Sequence, residues 1–452
     1  MVSPESIQAV DSWVSSQDLT LKLSPETTVP SSEPRGSVDI VIDPSKTYQT
    51  ILGLGSSLEH STCYNLSKLS KPEQEKAIET IVDPDRGMGM NLMRICIGTP
   101  DFTASPWYTY DDVPEGETDP ELEHFCIDKD REYVLPILKM AREKNPELLF
   151  VASPWSPPAW MTSNDRIGGG NILPEHFASY AEYFARFIQA YEAEGIPIHA
   201  ITPQNEPAFS PETYPACLWS GEEQRDFIRD HLGPAFIRHG IKVGIWCWDH
   251  NFQCDFPRAI LNDPVAARYT QGTGFHHYGG EPEAMTALHD EFPHKDIHFT
   301  EGSTFGLPGA AKIVSYLRNW SRSYLAWVTV IDSNTQPNPG PHGCAPTCIV
   351  LDAEDLTLDY RFDYYMYGQF MKFIPRGSVR VGSAGPDEQL AQVAFKAPDG
   401  AFVLVVVNLA DEERGFTTCC AATTFHATLP ARSIGSYIWR EPGVSNKVGD
   451  AN

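Results

Sequence analysis

Long apolar runs are missing from this chain of 452 residues. The longest, Ala401 to Val407, covers seven positions, against about 20 needed to cross a bilayer, so no integral membrane segment is expected. Positive charge is also scarce. Lys and Arg number 34 against 60 Asp and Glu, a formal charge of -26, and a phosphate backbone would be repelled where binding needs cations to displace its counterions. Nucleic acid is excluded as a partner, and anionic membrane surfaces are disfavoured. The first 24 residues lack the charged start and apolar stretch of an export leader. The ten Cys lack a regular disulfide spacing, Cys419 and Cys420 being adjacent, which suits reduced thiols. A cytoplasmic location is expected, or a secreted one if a leader has been removed. Gly53-Leu54-Gly55 lacks the third glycine of a dinucleotide loop, so no nucleotide cofactor is expected.

What is present is a sizeable core. Hydrophobic residues make up 41% and aromatics 11%, and the length suits one large domain plus a smaller one. Eight strand-like segments recur: QTILGLGSS, NLMRICIG, LLFVASPW, IHAITPQNEP, KVGIWCWDHN, TGFHHYGG, DIHFTEGS and SYLAWVTVID. Helical patterns alternate with them. Phe177, Tyr180, Phe184, Phe187, Ile188 and Tyr191 share one face of a helix that Gly195 stops, and Ser220 with Glu223 forms a capping box opening a helix that runs to Gly240. Strands apolar on both faces and alternating with helices predict an α/β fold, a closed (β/α)8 TIM barrel, over 48–374. From 375 to 452 the pattern becomes short alternating strands with a turn at Pro398-Asp399-Gly400, which predicts a β-sandwich. LTLKLS and VDIVID, within 15–47, are strand-like and are expected to pair with that C-terminal sheet.

In such a barrel every strand delivers its last residues to one face. Glu206 ends the fourth predicted strand in TPQNEP, where Pro207 stops the ladder, and Glu301 ends the seventh in HFTEGS. Paired carboxyl groups are what glycoside cleavage requires: one protonates the departing oxygen, the other attacks the anomeric carbon or activates water. Taken singly, each has a plain alternative, a helix cap or an ion pair with a nearby Arg. Together, at matching strand ends on either side of FHHYGG, they favour catalysis.

ASPWSPPAWM, TPQNEP, CLWSGEEQRDFIRDHLGPAF, WDHN, FHHYGG, FTEGS and FMKFIPRGSVRV, in that order from about Tyr48 onward, resemble glycoside hydrolase family thirty, the group that includes glucosylceramidases. The resemblance implies a retaining β-glycosidase with a barrel and a β-sandwich of split N- and C-terminal origin. It implies Glu206 as acid/base, Glu301 as nucleophile, Asn205 on the sugar 2-hydroxyl and Tyr278 bonded to the nucleophile. Asp101 and Trp155 match positions that grip hydroxyls on the far side of the sugar, although Trp155 alone would more often be core. Arg94 matches a buried guanidinium beside the nucleophile. Trp160, Trp219, Trp246, Trp248, Asp249, His250 and His276 are further candidates for the cleft rim, some of them structural. A charged Glu301 is expected to raise the pKa of Glu206.

Two segments depart from the family. Val330 and Ile331 stand where glucosylceramidase-like members keep a Trp-Asn pair for the C6 hydroxymethyl, and His342 stands near a later Asn. Either Asp332, Asn334 or His342 replaces those contacts, or the sugar lacks a 6-hydroxyl, as xylose and fucose do. In GSSLEHSTC, Glu59 and His60 either narrow the pocket and contact a terminal sugar or form an ion pair bracing the barrel. His342, Cys344 and Cys348 are a partial zinc set without a fourth ligand, so no metal is expected, and the retaining mechanism needs no cofactor. The expected partner is a carbohydrate or glycolipid substrate: a β-glucoside or glucosylceramide-like glycoside, with an endo-β-1,6-glucanase and a β-xylosidase or β-fucosidase as alternatives. A non-catalytic sugar-binding barrel would have no use for the paired Glu, and a metal-dependent barrel hydrolase would be exposed by chelation.

Overall fold

The computed structural model describes residues 9–28, 38–340, 347–385 and 389–441. Eight parallel strands form the barrel: β1 Gly53–Ser57, β2 Leu92–Ile97, β3 Leu149–Pro154, β4 Ile198–Ile201, β5 Gly244–Phe252, β6 Thr270–Gly280, β7 Asp296–Glu301 and β8 Ser323–Leu325. They lie in the sheet in the order β7, β6, β5, β4, β3, β2, β1, β8. A parallel bridge between Gly302 and Ala326 joins the two ends, and Trp327 N donates to Gly302 O at 3.2 Å. All six residues of β2 are buried, as a strand covered on both faces requires. Among the described residues no helix is long and apolar enough to cross a membrane.

The helices follow the apolar periodicity. Phe177–Ala193 buries Phe177, Tyr180, Phe184, Phe187, Ile188 and Tyr191, and Gly195 follows with a φ of 82° that a side chain would oppose. The capping box is present: Glu223 N donates to Ser220 Oγ at 3.1 Å while Ser220 N donates to the Glu223 carboxylate at 2.7 Å. That helix differs from expectation in its middle. Gly221–Phe227 widens into a π-turn at Ile228–Leu232 before Gly233–His239 resumes. Pro234 has no N–H to return to the preceding turn, and the widening sits where that bond is lost.

Among the described residues the other sheet has nine strands, three of them N-terminal: two lie together at one edge and the third inserts among C-terminal strands. Val10–Ser16 pairs antiparallel with Ser433–Trp439, and Ile40–Thr50, which contains VDIVID, lies between Val379–Ala384 and Arg414–Cys420. Val14, Ile42, Leu404, Phe416, Phe425 and Tyr437 belong to its buried core. LTLKLS, expected as a strand, is instead mostly the turn between Val10–Ser16 and Ser24–Thr28. Leu19 and Leu23 have φ of 62° and 50°, outside the strand region, and the Asp18 carboxylate holds the turn by accepting from Thr20 N at 3.1 Å. The chain divides into two compact units: Leu54–Ser303 with Asn319–Asp359, and Met1–Gly53 with Thr304–Arg318 and Tyr360–Asn452.

Candidate active site

After β4 the chain cannot continue its ladder through Pro203 and Pro207, and its backbone is held by neighbouring strand ends instead. Asn205 N donates to Pro154 O at 2.8 Å, and Glu206 N donates to Asp249 O at 3.0 Å. Glu206 has a φ of 50°, a left-handed conformation that lifts its carboxylate out of strand alternation. Glu301 is the last residue of β7 and is 5% exposed. A carboxylate oxygen of Glu206 and one of Glu301 lie within 4.8 Å of each other, with a ring nitrogen of His276 inside the same distance of each.

Arg94, on β2, is wholly buried and organises this cluster. Its Nη1 donates to Glu301 Oε2, and its Nη2 donates at 2.8 Å to both Asn205 Oδ1 and Asp249 Oδ2. A guanidinium has no acceptor, so the Asn205 atom facing it must be the oxygen, leaving the amide N–H2 to donate elsewhere. Tyr278 is half exposed, but its hydroxyl donates to Glu301 Oε1 at 2.8 Å. Asp249 accepts from Arg94, Ser153, Thr202 and Thr300 and contacts His276 Nε2 at 3.1 Å. Burial would raise the Asp249 carboxyl, but Arg94 and His276 more than offset it and hold it well below the usual range.

His276 connects the two halves of the site. Its Nδ1 is 3.2 Å from Glu206 Oε1 and 3.8 Å from Glu301 Oε1. Burial alone would depress it, yet the surrounding carboxylates Glu301, Asp249 and Glu206 push its pKa up to about 9. For Glu206, burial raises the pKa, but the hydrogen bond and charge of His276, joined by His250 and Arg94, bring it below the ordinary carboxylate value. The expected elevation by Glu301 is thus overturned, because an imidazolium in hydrogen-bond contact outweighs it. At neutral pH the proton of this pair rests on His276. His250 Nε2 lies 3.5 Å from the same Glu206 oxygen, and burial lowers its pKa to about 4.

The two Glu open into a cavity of about 610 Å³. Asp101 lines it, with a buried Oδ1 that has no partner among the described residues, and burial together with Glu301 and Glu206 raises its pKa well above the usual value. His250, Tyr278 and Trp327 also line it. Trp155 does not. It is 3% exposed, stacks on Trp327 at 5.0 Å between ring centroids, and its centroid is 4.8 Å from the Arg94 guanidinium.

Several expected contacts are corrected. Glu59 is fully buried and caps the helix His60–Ser67, accepting from Ser57 Oγ and Ser61 Oγ at 2.6 Å and Thr62 N at 2.7 Å. His60 contacts Thr103 Oγ1 at 3.4 Å among the rings of Tyr108 and Tyr133. Neither lines the cavity, and the two are not an ion pair. Trp248, at φ 71°, donates Nε1 to Asn251 O at 2.7 Å and packs on Phe256. Trp160, Trp219 and Trp246 are likewise buried against Asp111, Phe177 and His298. Val330 and Ile331 are buried, and Asp332 is held by its own turn, accepting from Asn334 N and Gln336 N at 2.9 and 2.7 Å. His342 and Cys344 lie outside the described residues, while Cys348 is buried with its thiol directed to Thr329 O. Trp327, Phe102, Tyr214 and Phe209 also line the cavity and were not singled out from the sequence. Trp327, just past the eighth strand, carried the one usable signal.

Glu206, His276 and Glu301 are spaced to hold a cation among the described residues. A metal would have to displace the proton that the surrounding carboxylates hold on His276 and compete with Arg94 for Glu301. The donor set therefore suits a proton relay better than a metal site.

Comparison with known proteins gives a consistent picture. Residues 51–355 match the glycosyl hydrolase family 30 TIM-barrel domain and residues 377–437 the glycosyl hydrolase family 30 beta sandwich domain. The chain is 32% identical to an endo-1,6-beta-D-glucanase of Neurospora crassa over 84% of this chain and 83% of that protein. It is 29% identical to the lysosomal acid glucosylceramidase of Mus musculus over 89% and 83% of the two chains. A solved endo-beta1,6-glucanase superposes with a TM-score of 0.87 at 28% identity, covering 96% of this chain and all of the other.

Proposed function

The chain belongs to glycosyl hydrolase family 30, and from that premise we propose that it is a retaining β-glycosidase cleaving β-glucosidic bonds by double displacement, with Glu301 as nucleophile and Glu206 as acid/base. The observation that carries this reading is the approach of their carboxylate oxygens to within 4.8 Å. Retaining enzymes hold the pair at about 5–5.5 Å, whereas inverting ones need about 6.5–9.5 Å to admit a water.

In the first step Glu301 attacks the anomeric carbon, the bond to the leaving oxygen breaks, and that oxygen takes its electron pair and a proton from Glu206. Arg94 and Tyr278 hold the attacking carboxylate in place. The proton reaches Glu206 from His276 Nδ1 across 3.2 Å, leaving a neutral imidazole in contact with Asp249 through Nε2. In the second step water gives a proton to Glu206 while its oxygen displaces Glu301 from the anomeric carbon. The Asn205 amide, fixed by Arg94, is free to donate to the sugar 2-hydroxyl. Asp101 Oδ1, without a partner among the described residues, is suited to another hydroxyl.

A β-1,6-linked glucan is the first substrate to test, because relatives in sequence and in structure carry that activity in their names. Glucosylceramide is the second: Phe209, 43% exposed, lines the cavity and offers apolar surface to an aglycone. Trapping with a 2-fluoro-β-glucoside and mapping the labelled peptide tests the mechanism. Label on Glu301 is expected, and label on another residue overturns the assignment. Turnover of the two glucosides, measured beside aryl β-xyloside and β-fucoside, identifies the glycone.

A further inference from the structure

Resting on the glycosidase reading, we propose a second sugar subsite, separated from the catalytic cavity by Tyr214, that binds a further neutral hexose unit of an oligosaccharide chain. Beside the catalytic cavity lies another of about 390 Å³, lined in part by Trp107, Asp112, Asp165, Arg166, Glu212 and Tyr214. Tyr214 lines both cavities.

An aromatic layer runs from one to the other. Phe102, Trp155, Tyr214 and Trp327 form a single apolar cluster, and Trp107 packs against it. Phe102 and Trp327 surface in the catalytic cavity and Trp107 in the second. Flat aromatic faces bury the apolar side of a pyranose, and charged groups around such a face bind its hydroxyls in pairs. Trp107 also holds a buried Nε1 with no partner among the described residues, a donor that a hydroxyl would satisfy.

The walls are built in advance. Segments after β3 and β4 are joined by a parallel ribbon between Gly170–Asn171 and Cys217–Leu218, and Ala216 N donates to Ile167 O at 2.8 Å. A Cβ on Gly168 would come within 2.7 Å of Tyr214 O, so only glycine allows the two segments to close together there. A groove that does not need ordering retains more of its contact energy for the ligand. Its charge selects the class of sugar. Asp112 is neutralised by Lys129 at 2.9 Å, which leaves Asp165 and Glu212 against Arg166, a balance that disfavours a uronic acid.

The test compares kcat/KM for an aryl β-glucoside with that for β-linked gluco-oligosaccharides of increasing length. In the wild type the longer chains are expected to be favoured. In Trp107→Ala and, separately, Arg166→Ala, the long-to-short ratio is expected to fall about tenfold, as the loss of one aromatic or charge-assisted contact implies. Arg166 is exposed, so its variant reads the ratio even if Trp107→Ala does not fold. Hydrolysis with no length advantage, a ratio unchanged in both variants, or a preference for uronic-acid-bearing chains overturns the second subsite alone. Absence of hydrolysis on every glycoside overturns the catalytic reading, and this one with it.

Discussion

Arg94 and Asp249 form an ion pair at 2.8 Å in which neither side chain has any exposure. Each is also hydrogen-bonded beyond the pair, Arg94 to Glu301, Asn205 and Ser153, Asp249 to Ser153, Thr202, Thr300 and His276. Removing one partner strands the other in a low-dielectric interior. Asp249→Ala is expected to cost about 3–5 kcal/mol of stability, measured by denaturant unfolding. Combining it with Arg94→Met should cost less than the sum of the single changes.

On the proposed mechanism, Glu206→Gln removes the proton donor and leaves the nucleophile. kcat/KM on substrates with poor leaving groups should fall about 10²–10⁴-fold, with a much smaller loss on a dinitrophenyl glycoside, whose leaving oxygen needs no proton. Equal losses on the two would contradict the acid role.

On the proposed relay, His276 sets the alkaline limb of the pH profile. Its pKa is raised from 6.5 to about 9 by Glu301, Asp249 and Glu206 against the effect of burial, with His250 and Tyr278 also close. The protonated pair with Glu206 is therefore present below about pH 9 and is lost as pH rises through it. kcat/KM should decline above that point, and His276→Asn should move the limb to lower pH because Glu206 must then hold the proton unaided. A limb that stays in place in the variant would contradict the relay.

Tyr278→Phe deletes the hydroxyl that donates to Glu301 Oε1. A hydrogen bond to a charged group is worth about 1.5–3 kcal/mol, which corresponds to roughly 10–100-fold in kcat. On the proposed mechanism KM should change little, since the bond orients the attacking carboxylate.

Glu59→Ala tests the correction at the first strand end. Loss of the helix cap should cost about 1–2 kcal/mol, visible as a lower Tm. An increase in KM with Tm unchanged would instead return Glu59 to the pocket.

The sequence made the carboxyl pair readable because strand ends on one barrel face converge whatever the details of packing: Glu301 closes β7, and Glu206 lies in the segment that follows β4. Arg94 was readable for a related reason: a guanidinium inside an apolar strand requires an acid. Direction was harder to read. Glu is an uncommon helix cap beside Ser, Thr, Asp or Asn, so Glu59 looked available for a ligand. Midway along β5, Trp248 and Asp249 have φ of 71° and 69°, which breaks the alternation from which side-chain direction is inferred and conceals that the Trp is core while the Asp anchors the site. LTLKLS alternates like a strand, and only the left-handed Leu19 and Leu23 show it to be a turn. The π-turn at Ile228–Leu232 depends on a single Pro234, which the apolar periodicity does not register.

Glu206, Trp248 and Asp249 all hold backbone angles that side-chain-bearing residues seldom adopt. A directed-evolution campaign that selects for heat resistance alone would be drawn to relax these positions, for instance by admitting glycine at 248. Its hardiest clones would then be the ones whose turnover has drifted furthest from the parent.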